Sequence, residues 1–271
     1  RADDPDATPW GDFLDSAAAI GYECVELGPP GYLPEGPRLQ DELAARDLEL
    51  TCGYLAVDFS VGHEPQRLRE WLAELARVTG GAPYVLALAR TGWGPGGRAI
   101  PDDEHWQAIT SGLLTLSAAA RHDHGMELVF HPHVGMAVET RPEIERFVEE
   151  TDGQVSLVLD IGQLAYTGAD PAAFLRSHRE VVSYLHLRDV DPAIRDRCVA
   201  EGVDFAAAAA RDVFCEPGTG CVDLVAVAGA AAAVGFDGPV VVERSYLGRT
   251  PAEAQAAAAR AFDVYRNVGF G

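Results

Sequence analysis

The chain has 271 residues and 48% apolar content, enough to bury one sizeable core, so a single domain spanning 1–271 is expected. Its 42 acidic residues outnumber 21 basic ones, and the resulting charge of −21 repels phosphate backbones and anionic membrane faces, which argues against nucleic-acid and membrane partners. All of the basic residues are arginine; with no lysine in the chain, Schiff-base aldolase, pyridoxal-phosphate and P-loop chemistries are excluded.

Cys24, Cys52, Cys198, Cys215 and Cys221 are scattered, odd in number and form no C-x-x-C pair. That argues against a disulfide framework or a thiolate zinc site and fits a reducing cytoplasm, the expected location. No apolar run approaches the roughly 20 residues of a membrane span, and the chain starts acidic and proline-bearing rather than signal-like.

In chain order, residues 10–20 carry helical apolar spacing that stops at Gly21, and 24–28 read as a strand running into the turn-rich Pro29–Pro34. The cycle repeats with helix 37–47, strand 48–57, helix 65–78, strand 84–89, helix 102–122, strand 127–133 and helix 141–150. It goes on with strand 155–160, helix 170–178, strand 182–188, an irregular connection over 191–221 holding an alanine-rich helix at 204–212, helix 222–234, strand 239–243 and helix 251–268. Strict alternation means a parallel sheet. Seven strands, each with a helix, plus a leading helix with no strand ahead of it, fit an α/β fold of the (β/α)₈ TIM-barrel type whose first strand lies outside this numbering.

Four apolar stretches end on polar residues that can bind metal: Leu128–Phe130 opens into His131, His133 and then Glu139, Val155–Leu159 ends on Asp160, Val182–Leu185 on His186, and Pro239–Val242 on Glu243. In a barrel the carboxyl ends of all strands meet at one face. Glu139, Asp160, His186 and Glu243 would therefore converge there, and three carboxylates with one imidazole suit Mn²⁺, Co²⁺ or Mg²⁺ more than structural zinc. Of His131 and His133, which flank Pro132, one at most is expected to face the axis, with the other bracing a loop. The glycine-rich 92–97 segment departs from the dinucleotide fingerprint and reads as a loop that carries Trp93 over the site.

The stretches Gly21–Pro29 with Gly31–Pro34, His131-Pro132-His133 with Val138-Glu139-Thr140, Leu159–Gly162, His186–Val190 and Val213–Asp223 resemble the inosose dehydratase branch of the xylose isomerase-like TIM barrels. The resemblance implies a divalent metal on Glu139, Asp160, His186 and Glu243, with Glu26, His131, His133 and Arg188 near a keto-cyclitol or keto-sugar. It also implies histidine where Gln163 stands and lysine where Arg188 stands; arginine cannot exchange a proton near neutral pH, so a proton-shuttling role there is lost.

The chemistry expected is metal polarisation of a substrate carbonyl, proton abstraction from the adjacent carbon, and loss of a β-hydroxyl as water, with Glu139 and Glu243 moving protons and His131 or His133 serving the departing oxygen. The alternative at the same residues is a metal-dependent sugar isomerase or epimerase. A nucleic-acid endonuclease on this barrel is disfavoured by the acidity and by Gln163. A small sugar or cyclitol is the expected partner, and self-association is compatible with the chain.

Overall fold

In a computed structural model, residues 8–61, 64–94, 97–243 and 250–270 are described, with the side chains of Trp93 and Gly94 outside the description. The strands are β1 (Cys24–Val25), β2 (Glu49–Leu50), β3 (Cys52–Val57), β4 (Tyr84–Ala89), β5 (Trp93–Gly94), β6 (Gly97–Arg98), β7 (Glu127–Phe130), β8 (Ser156–Asp160), β9 (Val182–Leu187), β10 (Asp189–Val190), β11 (Phe214–Cys215) and β12 (Val240–Val242).

The main sheet is parallel throughout and runs β12-β9-β8-β7-β4-β3, with β1 pairing in parallel to β2. Strands β2 and β3 are one run interrupted at Thr51, whose N–H still donates to the Val25 carbonyl. This is the curled sheet of an α/β barrel, with seven parallel runs among the described residues.

Why apolar runs become these strands follows from period two. In β4 and its neighbours, Val85, Ala87, Leu128, Phe130, Leu157, Leu159, Leu185 and Leu187 face outward into one core shared with the helices. The alternate residues Cys52, Leu86, Leu88, Val129, Val158 and Tyr184 face inward and fill the barrel as a second, smaller cluster. Any residue two positions past an inward one, on a strand that continues, emerges at the barrel mouth.

The helices begin and end on the expected chemistry. Asp102 caps Asp103–His124 by accepting from the His105 N–H, and Gly125 closes it with φ +66°. Thr140 and Glu143 form a capping box at the start of Arg141–Glu150. Among the described residues no helix is long and apolar enough to cross a membrane.

Three expectations are corrected. The strand predicted over 127–133 stops at Phe130, because Pro132 cannot donate a ladder bond and His133 N–H instead donates to Val138 O. The connection over 191–221 contains a further helix, Pro192–Glu201, capped by Asp191 at the Ala193 and Ile194 N–H groups. The segment expected to be a loop at 92–97 carries the short antiparallel pair β5–β6.

Candidate active site

His186 sits at the centre of the mouth. It follows the inward-facing Tyr184 by two residues on β9, is buried, and pairs in register with both Asp160 of β8 and Val241 of β12. Its Nε2 is 2.8 Å from Glu26 Oε1, and its Nδ1 is 2.8 Å from Glu243 Oε2. Burial opposes a charge on this ring, yet the two flanking carboxylates push it up to about 10 in the ion-free arrangement. Glu26 also accepts from the Tyr184 hydroxyl at 2.7 Å, and that hydroxyl lies 2.8 Å from Thr51 Oγ1. Glu26 thereby orients His186.

Asp160 divides its oxygens. Oδ1 accepts from the Gly162 and Gln163 N–H groups, both at 2.9 Å, and so caps the helix Ile161–Tyr166. This holds the carboxylate rigid and leaves Oδ2 pointing at the mouth, 3.9 Å from His186 Nδ1 and 3.7 Å from His131 Nε2.

Arg188 lies beneath, with Nε 2.8 Å from Asp160 Oδ2, Nη2 on Glu243 Oε1, and its guanidinium over Phe214 at 4.7 Å. Burial would raise the Asp160 and Glu243 pKa values, and Arg188 more than offsets it, so both carboxylates stay ionised. A Cβ on Gly162 would stand 2.5 Å from the Arg188 Cβ, so the glycine makes room for the arginine.

His131 and His133 do not diverge. Two residues apart they keep the same parity, and their rings lie 5.3 Å apart. His133 is fully committed: Nδ1 is 2.7 Å from Val134 O and Nε2 is 2.9 Å from Gln163 Nε2, while Gln163 Oε1 accepts from Val134 N–H. A carbonyl must receive a proton and the Gln163 amide must give one, so His133 is the neutral Nδ1–H tautomer, with burial holding it down at about 3. No lone pair or proton of His133 remains for a ligand.

His131 is different. Its Nε2, together with Asp160 Oδ2, His186 Nδ1 and Glu243 Oε2, is buried and makes no aligned hydrogen bond. Ligand atoms of His131, Asp160 and His186 all lie within 4.8 Å of one another. Buried polar atoms are ordinarily satisfied. The His131 Nε2 lone pair, grouped this closely with Asp160 and His186 and with the Glu243 carboxylate on His186 Nδ1, fits a divalent cation.

A sequence profile of the xylose isomerase-like TIM barrel family matches residues 14–267. The chain belongs to that family. Within it, an inosose dehydratase of Geobacillus kaustophilus is 30% identical over 246 residues, covering 85% of this chain and 78% of the relative. An inosose dehydratase of Lacticaseibacillus casei is 32% identical over 241 residues, covering 85% and 80%. Among solved structures, the IOLI protein with a bound zinc atom superposes with a TM-score of 0.72 at 21% identity, covering 98% of this chain and 96% of that one. A probable 3-DHS dehydratase from Bacillus anthracis superposes at 0.73 with 16% identity, covering 97% and 95%. At those identities the structural likeness speaks to the fold alone.

Of the four ligands that resemblance to this xylose isomerase-like family implies, Asp160, His186 and Glu243 are linked through His186 and Arg188, and Glu139 lines a cavity with Asp160 and Gln163. Glu139 Oε2 is 2.9 Å from Arg98 Nε and accepts from Gly135 N–H at 2.8 Å. The backbone of Trp93 pairs with Arg98 in the β5–β6 hairpin, and its side chain lies outside the described residues.

Sequence reasoning missed Arg98, Tyr184, Thr51 and Asp189. Arg98 lies in a glycine-rich segment with no periodic signal, and it binds both Glu139 and Glu143. Asp189 is buried and takes four backbone N–H groups, from Val190, Gly218, Gly220 and Val222, which ties the 214–222 connection to the mouth. The sequence signal for this connection is the turn-forming run Pro217-Gly218-Thr219-Gly220, in which Thr219 N–H donates to Glu216 O.

Proposed function

We propose that this protein is a divalent-metal-dependent dehydratase that removes water from an inosose-like keto-cyclitol or keto-sugar. The observation that carries the reading is the close grouping of buried His131, Asp160 and His186 ligand atoms at the barrel mouth, with Glu243 beside them; inosose dehydratase relatives near 30% identity over 85% of the chain support the substrate class. Asp160, His186 and Glu243 would hold the cation, with Mn²⁺ and Co²⁺ suited to the donors. A cation bound there would polarise the substrate carbonyl and acidify the neighbouring C–H.

The proton falls to Glu243. Its side chain is 38% exposed where that of Asp160 is wholly buried, so Glu243 is the carboxylate of the cluster that a substrate can reach. It is held ionised by Arg188 and His186 against its burial, and so is ready to accept. Glu243 takes the proton alpha to the carbonyl, the electron pair moves to the carbonyl oxygen, and the carbon–oxygen bond of the β-hydroxyl breaks as the enolate collapses. The same Glu243 returns its proton to the leaving hydroxide, releasing water and an unsaturated ketone. Arg188 cannot shuttle a proton; it fixes Asp160 and Glu243.

We place the enzyme in the cytoplasm, where a chain whose five cysteines stand as free thiols stays reduced. The test is to supply Mn²⁺ and 2-keto-myo-inositol. Enone absorbance that grows with time and vanishes in Glu243→Gln supports dehydration. Solvent deuterium entering a substrate of unchanged formula would replace this reading with an isomerase or epimerase, and full activity in Glu243→Gln would refute the role of Glu243.

A further inference from the structure

The side chains grouped at the mouth come from the ends of β7, β8, β9 and β12, and β3 and β4 supply none of them. Their inward faces nonetheless reach the same mouth. On β4, Leu86 and Leu88 point inward, and Arg90 stands two past Leu88. The ladder persists that far, since Arg90 N–H donates to Val57 O at 2.7 Å, so Arg90 keeps the inward parity. On β3, Tyr54 stands between Cys52 and Ala56, which belong to or pack against the inward cluster, and Tyr54 is 42% exposed. An inward-facing residue that solvent still reaches borders the open mouth rather than the packed interior. Burial raises the Tyr54 phenol, Arg90 lowers it and Glu243 raises it, so its hydroxyl lies within the field of both the arginine and the cluster.

Arg90 is exposed, and among the described residues no carboxylate comes within ion-pair distance of it. Asp58, beside it in the β3–β4 register, spends Oδ1 on the Ser60 N–H and hydroxyl. In a chain of charge −21 an unmatched arginine is out of the ordinary: most of the described arginines pair with a carboxylate, as Arg98 and Arg188 do. Arg121 and Arg197 have no such partner either, but they sit on the helices Asp103–His124 and Pro192–Glu201 rather than at a strand end. An anion approaching a mouth that holds Glu26, Asp160 and Glu243 is repelled unless a cation meets it. Arg90 is the described arginine at this mouth whose charge is not already matched.

We infer that Arg90 and Tyr54 form a carboxylate subsite on the β3–β4 side of the mouth, so that the substrate is a keto-cyclitol or keto-sugar acid. The inference rests on the proposed dehydratase reading and narrows its substrate, whose carbonyl meets the cluster while its carboxylate meets Arg90. A planar guanidinium pairs with a carboxylate through two parallel N–H···O bonds, and the Tyr54 O–H can donate a third. One guanidinium balances the single charge of a carboxylate, whereas a phosphate ester would leave excess negative charge against an acidic mouth.

The experiment is titration calorimetry of the full chain in Co²⁺ with quinate, a cyclitol bearing one carboxylate, with neutral myo-inositol and with myo-inositol 1-phosphate, on wild type, Arg90→Gln, Arg90→Lys, Tyr54→Phe and Arg121→Gln. Quinate is expected to bind wild type about 10–100-fold tighter than myo-inositol, the worth of a charge-assisted pair, and Arg90→Gln to bring it down to the myo-inositol level. Arg90→Lys keeps the charge without the fork and should fall between, Tyr54→Phe should lose about tenfold, and Arg121→Gln should match wild type. Equal wild-type affinity for quinate and myo-inositol, or an equal loss in Arg90→Gln and Arg121→Gln, would overturn the subsite, and a larger gain with the phosphate ester would overturn the carboxylate assignment. Enone formation from 2-keto-myo-inositol with no preference for quinate would leave the dehydratase reading standing without the subsite. A quinate preference that is lost in Arg90→Gln, in a protein that turns over no keto-cyclitol, would support the subsite while removing the reaction.

Discussion

Asp189→Asn tests how the connection over the site is held. Oδ1 of Asp189 accepts from Val190 N at 2.8 Å and Val222 N at 3.1 Å, and Oδ2 from Gly218 N at 2.8 Å and Gly220 N at 2.9 Å. An asparagine of the same size has one acceptor oxygen. Whichever way its amide turns, two of these N–H groups lose their partner and face another donor. At roughly 1.5–3 kcal/mol for each hydrogen bond to a charged group, the loss is about 3–6 kcal/mol, a large share of the ~5–15 kcal/mol by which domains are stable.

Urea unfolding followed by far-UV circular dichroism should show the unfolding free energy falling by that amount, as a lower midpoint with the slope unchanged. The damage also reaches the mouth, because Phe214 pairs with Val190 across β10–β11 and its ring carries the Arg188 guanidinium. A loss under about 1 kcal/mol would refute the reasoning, since it would mean that the four N–H groups find other partners at no cost.

Three further perturbations follow from the same geometry. Gly162→Ala places a Cβ against Arg188, where 2.5 Å is open to it, and overpacking of this kind costs about 1–3 kcal/mol; cation affinity should fall with it, and a variant as stable as wild type would contradict the tight fit. Tyr184→Phe removes a donor from Glu26 and leaves Thr51 Oγ1 facing an apolar ring, so thermal unfolding should show a loss of about 1–2 kcal/mol, and an unchanged transition would argue against the Glu26–Tyr184–Thr51 chain. His133 is held down at about 3 against 6.5 for a free ring, so as pH falls below 6.5 the unfolded chain takes up a proton that the folded one refuses. Stability from this group is therefore lost at about 1.4 kcal/mol per pH unit on the way down, and His133→Gln should show a shallower decline than wild type, parallel curves being the contrary result.

The barrel was legible because its strands are buried on both faces and its helices carry caps, features that local residues alone decide. Strand 84–89 and helix 10–20 match the structure at both ends for this reason. Helix Pro192–Glu201 was not legible: only Cys198 on it is buried, so it lacks an apolar stripe, and its local signs are confined to its ends, Asp191 and Pro192 at the start and Gly202 at the finish. At the site, Asp160, His186 and Glu243 were readable as polar ends of apolar runs. His131 was readable by the same parity, two past Val129, because residues two apart share a face of a strand. Arg98, which decides where Glu139 points, comes from another part of the chain, and no local pattern announces such a long-range pair.

The central claim is that side chains from separate strands gather one cation at the barrel mouth. Equilibrium dialysis of wild type and Asp160→Asn against Co²⁺, with bound metal counted by mass spectrometry, tests it directly, because asparagine keeps an oxygen for the Gly162 and Gln163 N–H groups and so spares the helix cap. One equivalent of metal per wild-type chain and near none in a folded Asp160→Asn is the predicted result. A wild type that retains no metal, or an Asp160→Asn that holds as much as wild type, would contradict the account.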